Sequence, residues 1–316
     1  MANPPSVAVI DIGSNSIKVL VAARAPDGGV TALMVRTIDA RISAGISQTK
    51  PRLTEEGMAC GLDAIGALLT EAAPFSPGHT VLVATSAVRD AQNGAEFRGR
   101  VVAATGLDIR ILSGDEEANL IGRGLTCDPA LTGLRDFYVF DLGGGSLECL
   151  AFRDRKIQQA VSLQLGCVRL TEKFVPDASQ PFPAHAGVLI AAHTRKLFAQ
   201  SGFQFSLPSG AIAIGTGGTV STVRAIAAAR EGKSFEQTDS LVTVASLSRL
   251  LGELGALDLA KRRTTPGLPP ARADVFPTAL ATLITVAEIG GFPALRNSLF
   301  NLRYGLAAEA LDRLAG

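Results

Sequence analysis

Two short turns of matching chemistry, 130 positions apart, constrain this chain more than any other feature of its sequence. The first is Asp11-Ile12-Gly13-Ser14-Asn15-Ser16 and the second is Asp141-Leu142-Gly143-Gly144-Gly145-Ser146. Each follows an apolar run that reads as a buried strand, Val7–Ile10 and Phe137–Phe140, and each precedes another, 17–21 and 147–152. Each is therefore a hairpin with a carboxylate at its entry and Gly and Ser at its tip. Glycine lets backbone approach an anion closely, and consecutive turn N–H groups form an anion-binding nest. The serine adds a hydroxyl donor, and the aspartate can hold a divalent cation that neutralises phosphate charge. Two such turns predict two half-sites facing one polyphosphate.

The rest of the chain fits a repeated α/β unit. The first half reads as strands 7–12, 17–24, 30–42, 80–85 and 108–112, with helices near 54–73, 94–105 and 115–126. The second half repeats the order, with strands 136–141, 147–153, 156–165, 210–214 and 297–302. Its helices fall near 168–175, 185–200, 218–230, 246–254, 272–289 and 305–314. Three antiparallel strands followed by alternating helices and strands predict a mixed sheet, made twice. The break falls near Cys127-Asp128-Pro129, where a helix ends before a proline. This gives domains 1–127 and 128–316. With 316 residues, each half can bury a sizeable core.

Composition narrows the partners. A formal net charge of +1 excludes chain-wide attraction to nucleic acid or an anionic membrane, so any polyanion site is local. Candidates for a local basic track are Lys18, Arg89, Arg169 and the cluster 261–263, which sits in a stretch that reads as an exposed, solvated loop. No apolar run reaches the roughly 18 residues needed to span a bilayer. The start of the chain, Met1 to Ser6, is neither basic nor followed by a secretory cleavage pattern. Cys60, Cys127, Cys149 and Cys167 show no C-x-x-C spacing, and Cys149 and Cys167 read as small buried thiols. The expectation is a cytoplasmic protein in a reducing compartment. His79, His185 and His193 lack metal-ligand spacing and read as solvated.

Three further motifs carry chemistry. Gly215-Thr216-Gly217-Gly218-Thr219 follows a strand and opens a helix, so Gly217, Gly218 and Thr219 are candidate anion contacts. Asp115-Glu116-Glu117 opens a helix after Ser113-Gly114. These acids either compensate the helix dipole or, beside a phosphate cleft, position a water for in-line attack. Arg89, in Thr85-Ser86-Ala87-Val88-Arg89-Asp90, either clamps a phosphate or pairs with Asp90 on the surface. Neither G-x-x-x-x-G-K-[ST] nor G-x-S-x-G occurs.

With these residues in view, the chain resembles the exopolyphosphatase / guanosine pentaphosphate phosphohydrolase family. The carriers are Ala8–Ser16, Ala84–Ala91, Ile111–Ala118, Phe140–Glu148, Leu165–Thr171, Gly215–Thr219 and Arg272-Ala273-Asp274-Val275. The resemblance implies duplicated ribonuclease-H-like domains of the actin, sugar kinase and heat-shock chaperone ATPase type, with the active site in an interdomain cleft. It also implies that the last helix, about 303–316, packs back on the first domain. Asp11 and Asp141 match Mg²⁺-organising carboxylates (Mn²⁺ being the other metal), and Glu148 a further metal- or water-handling one. Gly13, Ser14, Asn15, Gly143, Gly144, Gly145 and Ser146 match phosphate contacts, and Arg89 a phosphate-contacting arginine. Glu117 matches the catalytic glutamate, with Glu116 as the other candidate.

The expected activity is removal of the terminal phosphate from inorganic polyphosphate. Many relatives carry a C-terminal helical region with an HD-type domain. Without one before Gly316, the chain resembles the short two-domain form, which implies shorter chains as substrate. Guanosine pentaphosphate 5'-phosphohydrolysis is the alternative, followed by phosphotransfer and by a non-hydrolysing polyphosphate- or nucleotide-binding regulator. A homodimer is compatible with the resemblance.

Overall fold

The computed structural model describes residues 5–315. The reading of the first four residues, in the export-signal expectation, lies outside them. The chain divides into two compact units, Met1–Thr132 with Phe300–Gly316, and Gly133–Leu299. The chain thus enters the second unit at Gly133, a few residues beyond the break anticipated near Pro129. It returns to the first unit for its last helix.

The first unit opens with strands β1 (Ser6–Ile12), β2 (Ile17–Arg24) and β3 (Val30–Ile38), then helix α1 (Glu55–Ala72) and β4 (His79–Ala84). Next come α2 (Ser86–Arg89), α3 (Gly94–Thr105), β5 (Ile109–Ile111) and α4 (Gly114–Thr126). The sheet order is β3-β2-β1-β4-β5. The β1–β2 and β2–β3 pairs are antiparallel, and β1, β4 and β5 run parallel. The central strand β1 has Val7 to Ile10 fully buried, as its unbroken apolar run requires when both faces are covered. Thr54 caps α1 by accepting from Gly57 N at 3.0 Å. By length and composition the helix through Glu55–Phe75 could cross a membrane. In the fold it buries Met58, Ile65 and Leu68, and Glu55 and Glu71 form ion pairs with Arg100 and Arg36.

The second unit has β6 (Phe137–Leu142), β7 (Leu147–Arg153), β8 (Lys156–Leu163), α5 (Cys167–Phe174) and α6 (Ala184–Ser201). It continues with β9 (Ile212–Thr216), α7 (Gly218–Glu231), β10 (Leu241–Thr243), α8 (Val244–Gly255), α9 (Leu259–Arg263), α10 (Phe276–Gly290) and β11 (Ala294–Asn297). Its sheet order is β10-β11-β9-β6-β7-β8. Read from the β8 edge, the first five strands repeat the first unit's arrangement: three antiparallel, then two parallel to the central one. Phe137 and Phe152 stack at 4.5 Å across the β6–β7 pair. Tyr138, Phe140, Phe205 and Phe292 form an aromatic cluster on the same sheet.

The last helix, α11 (Leu302–Ala315), packs on α4, β1 and β2 of the first unit. Two glycines permit the approach to α4. A Cβ on Gly305 would lie 1.9 Å from the Leu120 carbonyl oxygen, and one on Gly124 would lie 2.0 Å from that of Asn301.

Three expectations are corrected. The third strand ends at Ile38 rather than 42, where the chain turns toward Arg41 at positive φ. The last strand is Ala294–Asn297, not 297–302, because Leu302 already begins α11. Residues 261–263 are not a loop but the end of α9; Lys261 and Arg263 are solvated, as expected, whereas Arg262 is 1% exposed. Its guanidinium donates to the carbonyls of Leu254, Ala273, Gln180 and Leu257, tying α8, α9 and two loops together. That fixes Arg262 as an internal scaffold rather than a phosphate contact. Cys149 and Cys167 are buried, as expected, and burial pushes the Cys149 thiol well up. His79 and His185 are exposed, whereas His193 is half-buried against the Phe174 ring, which lowers its pKa.

Candidate active site

In the first unit the turn Gly13–Ser16 closes through Gly13 N donating to Ser16 O at 3.2 Å. Asp11, at the end of β1, lies across the strand pair from Lys18. Burial raises the Asp11 carboxyl above its usual range, opposed by the positive charges of Lys18 and Arg303. Asn15 is buried; its Oδ1 accepts from Arg41 Nε at 2.9 Å, while its Nδ2 has no partner among the described residues. A buried amide with unspent donors beside a glycine turn suits an anionic ligand.

A chain of contacts leads from this turn to Glu117. Ser14 Oγ lies 3.2 Å from Ser86 Oγ, at the start of α2. Three residues on, at the end of α2, Arg89 donates from Nη1 to Glu117 Oε2 at 2.8 Å and to Leu112 O at 3.0 Å. Arg89 Nε also lies 3.4 Å from Asp90. The ion-pair reading of Arg89 thus holds, with Glu117 as well as Asp90 as its partner. The Glu117 side chain is 8% exposed.

Glu116 is differently placed. Its Oε2 accepts from Ser113 N at 2.9 Å while Ser113 Oγ accepts from Glu116 N, forming a capping box on α4. Its Oε1 accepts from Arg110 at 3.1 Å. The Ser113 N–H and the Arg110 guanidinium hold the Glu116 carboxyl below its usual range.

In the second unit the same hairpin carries different charges. Asp141 faces Glu148 across the β6–β7 pair, where Asp11 faces Lys18 in the first. Glu148 is 2% exposed and accepts from Ser162 Oγ at 2.7 Å. The turn Gly143–Ser146 closes like the first, with Gly143 N donating to Ser146 O at 3.0 Å. Its carbonyls cap α5: Cys167 N donates to Gly143 O, and Val168 N and Arg169 N donate to Gly144 O. Arg169 Nε donates to Gly145 O at 2.9 Å, so this buried arginine braces the turn.

The third glycine turn comes into contact with the second. Gly217 has φ +83°, and a Cβ there would fall 2.3 Å from Asp141 Oδ1. A Cβ on Gly218 would fall 1.7 Å from Arg272 Nη1. The Arg272 guanidinium therefore lies over the N-terminus of α7, and its buried Nε has no partner among the described residues. Thr216 and Thr219 are fully buried, with hydroxyls that likewise lack partners. Sequence reading cited Arg272 for family resemblance without giving it a role. Its signal was a lone arginine 54 positions from the turn it covers, which only the fold brings together.

The donors fit a hard divalent cation. Mg²⁺ takes oxygen ligands, keeps several waters, and is commonly bound by one or two carboxylates plus substrate phosphates. Asp141 and Glu148 are such a pair of carboxylates. Among the described residues no cluster of three or more His, Cys, Asp or Glu could hold a metal on its own. Asp11, beside two cations, is less suited to a cation than Asp141.

The family described as the Ppx/GppA phosphatase family matches residues 20–314. A guanosine-5'-triphosphate,3'-diphosphate pyrophosphatase of Vibrio vulnificus (strain YJ016) is 29% identical over 312 residues, covering 99% of this chain and 60% of that protein. Its counterpart in Vibrio cholerae serotype O1 is 28% identical over 311 residues, with 98% and 60% covered. The chain thus spans about three-fifths of the length of these curated relatives. Among solved structures, an exopolyphosphatase from Cytophaga hutchinsonii superposes with a TM-score of 0.85 at 24% identity, with 98% of each chain covered. A Ppx/GppA family member from Aquifex aeolicus superposes with 0.78 at 22%, with 99% of each covered. These likenesses establish the α/β fold with two mixed sheets. With the match spanning nearly its whole length, the chain belongs to the Ppx/GppA phosphatase family.

Proposed function

We propose that the protein is an exopolyphosphatase that hydrolyses the terminal phosphoanhydride of short inorganic polyphosphate, releasing orthophosphate. The observation that carries this reading is the contact chain Ser14–Ser86 and Arg89–Glu117, which links a phosphate-type turn to a buried carboxylate. A pure binder has no need for a buried glutamate held by a charged arginine.

In this reading the N–H groups and hydroxyls of Gly13, Ser14, Asn15, Gly143, Gly144, Gly145 and Ser146 hold phosphate oxygens. Gly217, Gly218 and Thr219 add the N-terminus of α7, and Arg272 adds a guanidinium over that end. Glu117 orients a water for in-line attack at the terminal phosphorus and takes its proton; the bridging P–O bond breaks, the shortened polyphosphate leaves with the electron pair, and orthophosphate is released. Glu117 is favoured over Glu116 because the capping box and Arg110 already engage Glu116. Arg89 fixes the Glu117 carboxylate and, in this reading, also contacts a phosphate oxygen. When bound at Asp141 and Glu148, Mg²⁺ or Mn²⁺ supplies charge neutralisation for the phosphates. Positioning and electrostatics carry most of the rate, since phosphoryl transfer needs little covalent chemistry from the protein. The proposed setting is the cytoplasm, and a homodimer is compatible with it.

The names of the Vibrio relatives favour a second substrate, guanosine pentaphosphate, for the same machinery. The test is phosphate release with Mg²⁺ from short polyphosphate, long polyphosphate, guanosine pentaphosphate and ATP, repeated after chelation. The proposal expects the highest kcat/KM on short polyphosphate and loss of release on chelation. Preference for guanosine pentaphosphate would move the assignment to the second reading, and no release from any substrate would overturn both.

A further inference from the structure

The second unit contains a cavity unrelated to the phosphate turns. It has a volume of about 520 Å³, within the range typical of small-molecule sites. It lies at the opposite ends of the same strands. Tyr138, near the start of β6, lines it, whereas Asp141 and the glycine turn sit at the end of β6. Residues entering β9 and β11, the strands parallel to β6, complete that edge.

The walls are apolar and aromatic. Tyr138 meets Phe205 and Phe292 at ring-centroid distances of 5.3 Å each, and Phe205 meets Phe292 at 5.8 Å. The Tyr138 hydroxyl accepts from Leu207 N at 2.8 Å, so the wall is fixed and its polar tip is satisfied. Gly290 lets the rings close in: a Cβ there would lie 2.1 Å from Phe292 and 2.8 Å from Phe205.

One charged side chain lines this cavity, Arg296 of β11. It is half-buried, and its guanidinium has no hydrogen-bond or ion-pair partner among the described residues. A partly desolvated cation without a counter-charge is unfavourable, and a guanidinium presents a fork that matches a carboxylate. Apolar walls with one unpaired cation select a ligand with an aromatic body and an anionic head.

We propose that this cavity is a second binding site for a small aromatic carboxylate, held by the Tyr138–Phe205–Phe292 walls and paired with Arg296. The site is independent of the phosphatase reading and takes a ligand of different chemistry.

Calorimetric titration with 3-phenylpropionate and its neutral isostere 3-phenylpropionamide tests it. The acid is expected to bind saturably, one per chain, at least ten-fold more tightly than the amide. Arg296→Gln should remove that preference, and Ala294→Leu, which fills the cavity, should weaken both ligands ten-fold or more. A thermal midpoint close to wild type shows that each variant is folded. Should Ala294→Leu fail to fold, the Arg296→Gln comparison decides alone. Absence of saturable acid binding, equal affinity for acid and amide, or unchanged acid binding in Arg296→Gln would overturn the proposal.

Discussion

Glu116 and Glu117 are adjacent in sequence, but α4 turns by about 100° per residue, which sends their side chains in different directions. Glu116 stays at the surface and closes the capping box, whereas Glu117 points inward to Arg89. Their variants should therefore fail in different ways. Because the folded-state pKa of Glu116 is lowered, its stabilising contribution is present above the ordinary glutamate range. It is lost as pH falls through the lowered value. Glu116→Gln should melt below wild type at neutral pH, with the gap closing in acid, measured as thermal midpoints across a pH series. A gap that persists at low pH would contradict the capping role. Gly218 makes a second test at this scale. An alanine there should raise α7 helix propensity while pushing the Arg272 guanidinium off the turn. Gly218→Ala is expected to raise KM at least ten-fold at unchanged thermal midpoint. Unchanged KM would remove Arg272 and this turn from the site.

The pairing of α11 with α4 depends on backbone contact at Gly305 and Gly124. Propensity alone makes Gly305→Ala stabilising by about 1 kcal/mol, whereas overpacking against the Leu120 carbonyl costs about 3 kcal/mol. The packing effect is larger, so Gly305→Ala should destabilise by about 2 kcal/mol in chemical denaturation; a gain in stability would show that the helices separate freely. Gly305 also marks how far sequence could be read. The hairpins β1–β2 and β6–β7 were legible because a buried strand, a Gly/Ser turn and a second apolar run leave few alternatives. The helices read near 54–73, 94–105 and 218–230 form as α1, α3 and α7 within one residue of those bounds, the first with its Thr54 cap. Arg262 was not, because a basic triplet near prolines has the composition of a surface loop. Its burial depends on carbonyls from Leu254, Ala273, Gln180 and Leu257 that no local pattern reveals. The last strand was misplaced for a related reason: 297–302 is apolar enough for a strand, but after Ser298 N reaches Gly215 O the chain turns, and the Asn301 carbonyl accepts from Tyr304 N and Gly305 N at the start of α11. The charge asymmetry of the two hairpins, Lys18 against Glu148, was visible as letters, but its meaning needed the register that sets each opposite its aspartate.

At the scale of the whole molecule, a net charge of +1 leaves little general attraction for a long polyanion. Of the candidate cations for a track, Arg89 is held by Glu117, Arg169 by the Gly145 carbonyl and Arg262 by the interior, while Lys261 and Arg263 are exposed. The short substrates proposed above need a local anion site rather than an extended basic surface. In the proposed mechanism Glu117 performs the hydrolytic step. The most direct measurement is phosphate release from short polyphosphate with Mg²⁺ by wild type and Glu117→Gln, with substrate affinity measured on both. The account predicts a fall in kcat of at least about 100-fold, the scale of general-base catalysis, with affinity within a few-fold of wild type. Near-wild-type turnover in Glu117→Gln would contradict it.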